Sequence, residues 1–141
     1  MVYTKNQTQI KNTHALSGSF FMIYKGFITG IQLKVLIGIH DFERKQAQPV
    51  LMDIEYKINN TKVSSTDNIE DTLNYQQLVD HLKKVAESSN YNLVETLAAK
   101  LLDEAEKHFT LKWIKIKLAK TSVIECASAC GVEVERHYEQ K

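Results

Sequence analysis

Four side chains in this sequence are of types that fix or move protons and stand where a fold can use them: Glu43, Tyr75, Glu95 and Lys120. Glu95 opens a segment in which Val94, Leu97, Ala98, Leu101, Leu102, Ala105 and Phe109 recur at i, i+3, i+4 and i+7, the stripe of a helix packed on something apolar. It falls at the margin of that stripe, in the first turn, where unpaired N–H groups and the positive end of the helix dipole favour a carboxylate that stays ionised while partly dry. Such an acceptor suits a flat, N–H-rich ligand. The same spacing also allows a purely structural role, with Asn92 as N-cap and Glu95 at N3 of a capping box.

Lys120 shares strand parity with Ile114, Ile116 and Leu118, so it points to the apolar face if the strand runs that far. Partial burial there lowers lysine basicity and suits proton transfer, whereas a lysine at a strand end that snorkels to water does no chemistry. Tyr75 opens another helix, as a core aromatic or as a general acid. Glu43 lies in a polar loop, where a solvated carboxylate is the ordinary expectation. Cys126 and Cys130 are too few for a disulfide framework and are expected as buried thiols. The histidines at 14, 40, 81, 108 and 137 show no ligand spacing along the chain, so no metal site is expected. Neither a Gly-rich phosphate loop nor a nucleophile elbow is present.

The elements that must position these groups follow from period. Ile31, Leu33, Val35, Ile37 and Ile39 alternate with polar residues as one strand ending around His40, and Val50, Met52, Ile54, Tyr56 and Ile58 form a second, pairing as an antiparallel hairpin. Asp67 and Glu70 have the spacing of a capping box for a short turn. Tyr75, Leu78, Val79, Leu82, Val85 and Ala86 make the stripe of a first helix, ended by Ser88-Ser89-Asn90 before the second. Two further strands carry Ile114 to Leu118 and Gly131 to Arg136. The order β-β-α-α-β-β predicts an α+β domain whose two helices cover one face of a four-stranded antiparallel sheet.

A chain of 141 residues fits one domain. Residues 1 to 21, rich in Asn, Gln, Thr and Lys without sustained period, are expected as a disordered tail, with the domain over 22–141 and Met22 an alternative start. With 18 basic against 17 acidic residues, net charge points to neither nucleic acid nor an anionic membrane, and no aromatics interleave with Lys112, Lys115 and Lys117. No apolar run reaches membrane-spanning length and Ser19 to Tyr24 is too short for a signal peptide, so a cytoplasmic protein is expected.

Taken in order, Ile37-Gly38-Ile39-His40-Asp41-Phe42-Glu43 with Gln48, Thr66-Asp67, Asp71-Thr72-Leu73-Asn74-Tyr75, Asn92-Leu93-Val94-Glu95-Thr96-Leu97-Ala98, Lys117-Leu118-Ala119-Lys120 and Gly131-Val132-Glu133-Val134-Glu135-Arg136 resemble the successive motifs of the dihydroneopterin aldolases. Each motif alone is weak; the ordered set, over roughly residues 22 to 137, is specific. The resemblance implies the tunnelling fold and homo-oligomeric rings, tetramers stacked as octamers, with the pterin between subunits and no cofactor. By position, Glu95 resembles the carboxylate that grips the amino-pyrimidine edge, Val94 its backbone neighbour, Glu43 the glutamate lining the substrate site, Lys120 the catalytic lysine, and Tyr75 the tyrosine donated by the adjacent subunit. Thr121 stands where family members often have proline. The implied activity is metal-independent retro-aldol cleavage of 7,8-dihydroneopterin in folate biosynthesis, with some epimerisation to 7,8-dihydromonapterin. The rival expectations are the related dihydroneopterin triphosphate 2′-epimerase and a non-catalytic pterin-binding ring protein.

Overall fold

The computed structural model describes residues 22–58 and 62–138; the expected N-terminal tail lies outside them. Strands β1 (Tyr24–Val35), β2 (Gln48–Ile58), β3 (Trp113–Thr121) and β4 (Ala129–His137) form one sheet in the order β1-β2-β3-β4, with every neighbouring pair antiparallel. Helices α1 (Tyr75–Glu87) and α2 (Val94–His108) lie between β2 and β3 in sequence, as the periodicity predicts. Their stripes, Leu78, Leu82 and Ala86 of α1 and Leu97, Ala98, Leu101, Leu102 and Ala105 of α2, are buried with Val35, Val50, Met52, Ile54, Ile114, Ile116 and Leu118 in one core. Strand residues of a single parity supply that core because successive side chains leave a strand on opposite faces.

The other face of the sheet is charged. Glu55 on β2 takes Lys25 of β1 at 2.7 Å and Lys115 of β3 at 2.8 Å, and Lys115 also approaches Glu133 of β4 at 3.7 Å. These cross-strand pairs match Lys25 and Lys115 with carboxylates on neighbouring strands. Among the described residues, no helix is long and apolar enough to cross a membrane.

Several local expectations change. β1 begins seven residues before Ile31, and an irregularity between Ile28 and Ile31 keeps Tyr24, Ile28, Ile31 and Leu33 on the core side. Gly30 sits there at φ +71, its N–H donating to Asp53 Oδ1 at 2.7 Å. β1 also ends early, at Val35: Ile37 is buried outside the strand, and Ile39 turns outward after Gly38 leaves the extended region. The short turn Ile69–Asp71 is capped by Asn68, whose side chain accepts from Glu70 N, while Asp67 at φ 54 ends the preceding turn, Val63–Thr66. Cys126 is exposed and Cys130 half-buried, because one lies in the β3–β4 connection and the other near the start of β4.

Leu101 is fully buried between α2 and the sheet. Its truncation to Ala is expected to lower the unfolding free energy by about 2–5 kcal/mol, the usual range for a leucine-to-alanine cavity. Urea unfolding with an unchanged m-value would show it; a loss below about 1 kcal/mol would mean that the helix layer is not packed as described.

Candidate active site

The sheet register decides where Lys120 goes. β3 continues through Thr121, so Lys120 keeps the parity of Leu118 and faces inward, opposite Val50 of β2 and Cys130 of β4. Only 12% of its side chain is exposed. Thr121 itself stays in the ladder opposite Ala129, so strand pairing holds the lysine backbone.

Burial of an ammonium needs a partner, and Glu43 supplies it. Glu43 Oε1 accepts from Lys120 Nζ at 2.7 Å and from Gln48 Nε2 at 3.3 Å, while Oε2 accepts from the His40 backbone N–H at 3.1 Å. The expected solvated carboxylate is therefore corrected: Glu43 is only 4% exposed, because the single turn Asp41–Arg44 folds it back under the loop. Gly38 makes room for it. At φ +130 a side chain is strained, and a Cβ would overlap the Glu43 carboxyl group. Burial pushes the Glu43 carboxyl up, but the hydrogen bonds from Lys120, His40 and Gln48 and the charge of Lys120 together outweigh it and hold the pKa at about 2.

Arg44 ties this loop to the start of α2. Its guanidinium donates to Gly38 O at 3.3 Å, to Tyr91 O at 2.9 Å and to Asn90 O at 2.7 Å. α2 then starts one residue later than a capping box requires: Leu93 is the N-cap, it offers no side-chain acceptor, and Glu95 is at the second helical position. The first bonds to Leu93 O come from Thr96 and Leu97 at 3.2 and 3.3 Å, which leaves the Val94 and Glu95 N–H groups ahead of the helical ladder. The structural role weighed for Glu95 is thereby removed.

These pieces enclose a cleft of about 350 Å³ lined by Gly38, Ile39, His40, Glu43, Asn92 to Glu95, Lys120, Val123 and Cys130 to Val132. Its floor is an ion pair, one wall is the uncapped helix end with the Glu95 carboxylate, and the rest is largely apolar. Such a cleft can hold a flat heterocycle by its N–H edge and place it over a proton-exchanging pair. Four of the five residues singled out in the sequence, Glu43, Val94, Glu95 and Lys120, meet there. Tyr75 does not: it is 60% exposed at the start of α1. It lies near enough to Tyr56 to add to the rise in that phenol's pKa, of which burial is the larger cause. Tyr56 is six residues along β2 from Val50, the partner of Lys120, or about 20 Å at the rise of a strand. Arg44 was not anticipated as a site residue; no linear pattern marks a guanidinium whose acceptors are carbonyls 46 and 47 residues away.

A family model for dihydroneopterin aldolase, FolB, matches residues 26–135. The dihydroneopterin aldolase of Escherichia coli K12 is 29% identical over 110 residues, covering 78% of this chain and 90% of the relative. The crystal structure of E. coli dihydroneopterin aldolase in complex with neopterin superposes with a TM-score of 0.77 at 28% identity, over 80% of this chain and 98% of that one. A dihydroneopterin aldolase structure from Vibrio cholerae, itself a putative assignment, gives 0.79 at 26% identity, over 83% and 99%. Fold and neighbours make this a tunnelling-fold enzyme of the lyase class. The chain belongs to the dihydroneopterin aldolase family.

Because the Glu43 pKa is lowered from 4.5 to about 2, its contribution to stability is complete above about 4.5 and disappears as pH falls through about 2. Glu43→Gln should therefore lose stability at neutral pH, by somewhat less than the roughly 3–5 kcal/mol of a fully buried broken pair, and show a shallower fall in acid than wild type. Glu55 and Glu104, also held at about 2, titrate in both proteins and cancel in the comparison. Equal acid slopes in the two proteins would contradict this assignment.

Proposed function

We propose that the cleft binds 7,8-dihydroneopterin and cleaves it to 6-hydroxymethyl-7,8-dihydropterin and glycolaldehyde, a lyase step of tetrahydrofolate biosynthesis in the cytoplasm. The observation that carries this reading is the buried Glu43–Lys120 pair beside an uncapped helix end that presents Glu95. Glu95 accepts two N–H donors of the amino-pyrimidine edge, and the Val94 backbone flanks the same edge. Lys120, acting through a water, delivers a proton from its ammonium to N5 and, as the amine so formed, takes the proton of the 2′-hydroxyl. As the C1′–C2′ bond breaks, its electron pair moves into the C6–C1′ bond and the N5=C6 π pair moves to N5, so the ring is the electron acceptor. Glycolaldehyde leaves with C2′ and C3′. Protonation at C1′ and loss of the N5 proton then restore the imine. Return of the aldehyde in a rotated pose reverses the configuration at C2′ and gives 7,8-dihydromonapterin.

Glu43 positions the lysine. Its two oxygens are occupied by Lys120, Gln48 and the His40 N–H, so it holds the ammonium in place while the water-mediated transfers occur. The proton for C1′ comes in this scheme from Tyr75 of an adjacent subunit, in rings of four stacked as octamers. Two features support an intersubunit site: among the described residues no phenol lines the cleft, and Ile39, Leu93 and Val123 on its walls are exposed.

Anaerobic incubation of the purified chain with 7,8-dihydroneopterin and a chelator should yield both products, and Lys120→Ala should lower kcat by about 10²–10⁴. Bound but intact substrate, or turnover of the triphosphate alone, would overturn the assignment. Glu95→Ala is expected to act mainly through KM, whereas an unchanged KM would remove Glu95 from the binding edge. For the shared site, mixing Tyr75→Phe and Lys120→Ala proteins should restore part of the activity; no complementation in mixed oligomers would place Tyr75 outside it.

A further inference from the structure

A second constellation of ligating side chains lies at the other end of α2. Glu104 and His108 are one helical turn apart on α2, and His81 reaches them from α1. His81 Nε2 and His108 Nε2 both address the same oxygen, Glu104 Oε2, at 2.8 and 3.1 Å, and the two imidazole rings are 4.4 Å apart centre to centre. One ligating atom from each of the three residues lies within 4.8 Å of the others. No linear spacing announced this set, since His81 is on a different helix.

We propose that His81, Glu104 and His108 form a binding site for a divalent transition-metal ion of the zinc class, clamping α1 to α2. Two imidazoles and one carboxylate are an established three-ligand set for zinc, with a fourth position for water. Tetrahedral ligation at about 2.0–2.1 Å puts donor atoms about 3.3 Å apart, close to the two short separations already present. The ion enters between the three donors, with each ring presenting its Nε2 lone pair and carrying its proton on Nδ1. His108 and His81 are partly exposed, which leaves a path for entry, while Glu104 is more enclosed. Lys100 Nζ holds the other carboxylate oxygen, Oε1, at 3.1 Å, which leaves Oε2, the oxygen both imidazoles address, as the carboxylate's ligand atom. That ammonium also opposes the ion electrostatically and tempers its affinity. From Glu95 to Glu104 the helix rises about 13 Å, so this site is separate from the cleft.

The test uses the untagged full chain, stripped of metal and titrated with zinc, followed by calorimetry, thermal unfolding and, with cobalt as probe, visible d–d absorption. One tight equivalent per chain is expected, with a raised Tm and a tetrahedral cobalt spectrum. His81→Ala and His108→Gln should each weaken binding at least tenfold while folding normally in the absence of metal. Lys100→Met should tighten it several-fold, an effect that ions held elsewhere would not show. His137→Ala, whose ring packs beside Trp113 and not on the cluster, should change nothing. The proposal is overturned if no stoichiometric zinc binds. It is equally overturned if binding survives in both histidine variants.

Discussion

The ion pair between Glu43 and Lys120 is the contact on which the rest of the site depends. Neither charge is placed by local structure alone. The lysine is carried inward by strand parity, and the glutamate is folded back by a single turn after Gly38. Each would be costly to bury without the other, so their meeting fixes the loop 38–48 against the end of β3. Gln48 extends the arrangement by bridging Glu43 and Ile37 O, which joins the loop to the first residue of β2.

From that anchor the geometry passes to α2 through Arg44. A guanidinium with three carbonyl acceptors on two segments is a rigid spacer, because its planar fork satisfies them without swinging. The uncapped first turn of α2 is thereby held over the ion pair. A helix end without a side-chain cap gives up about 1 kcal/mol of local stability. Here the open N–H groups and the Glu95 carboxylate face the cleft instead of a side-chain cap.

The two ends of the domain carry different chemistry for the same structural reason. α2 crosses the sheet with its N-terminus over Lys120 and its last turn beside His81 of α1, so a single helix presents one carboxylate to the cleft and another to a histidine pair. Between them the stripe from Leu97 to Ala105 is fully committed to the core.

By itself the sequence determined the element order, the core faces of both helices and three strands, and the parity that Lys120 shares with Leu118, because each is a period of 2 or 3.6 residues written in side-chain hydrophobicity. That β3 runs far enough to carry Lys120 inward was decided by the sheet register. The ordered motifs also singled out Glu43, Val94, Glu95 and Lys120 through family resemblance. Only the tertiary structure decided that Glu43 is buried, that Gly38 ends the apparent alternation before Ile39, and that Leu93 rather than Asn92 caps α2. It alone brought Arg44 to the Asn90 and Tyr91 carbonyls, and His81 to Glu104 and His108. These are contacts between segments distant in the chain, and burial of a charge depends on which partner the fold brings to it, a quantity that local period does not contain.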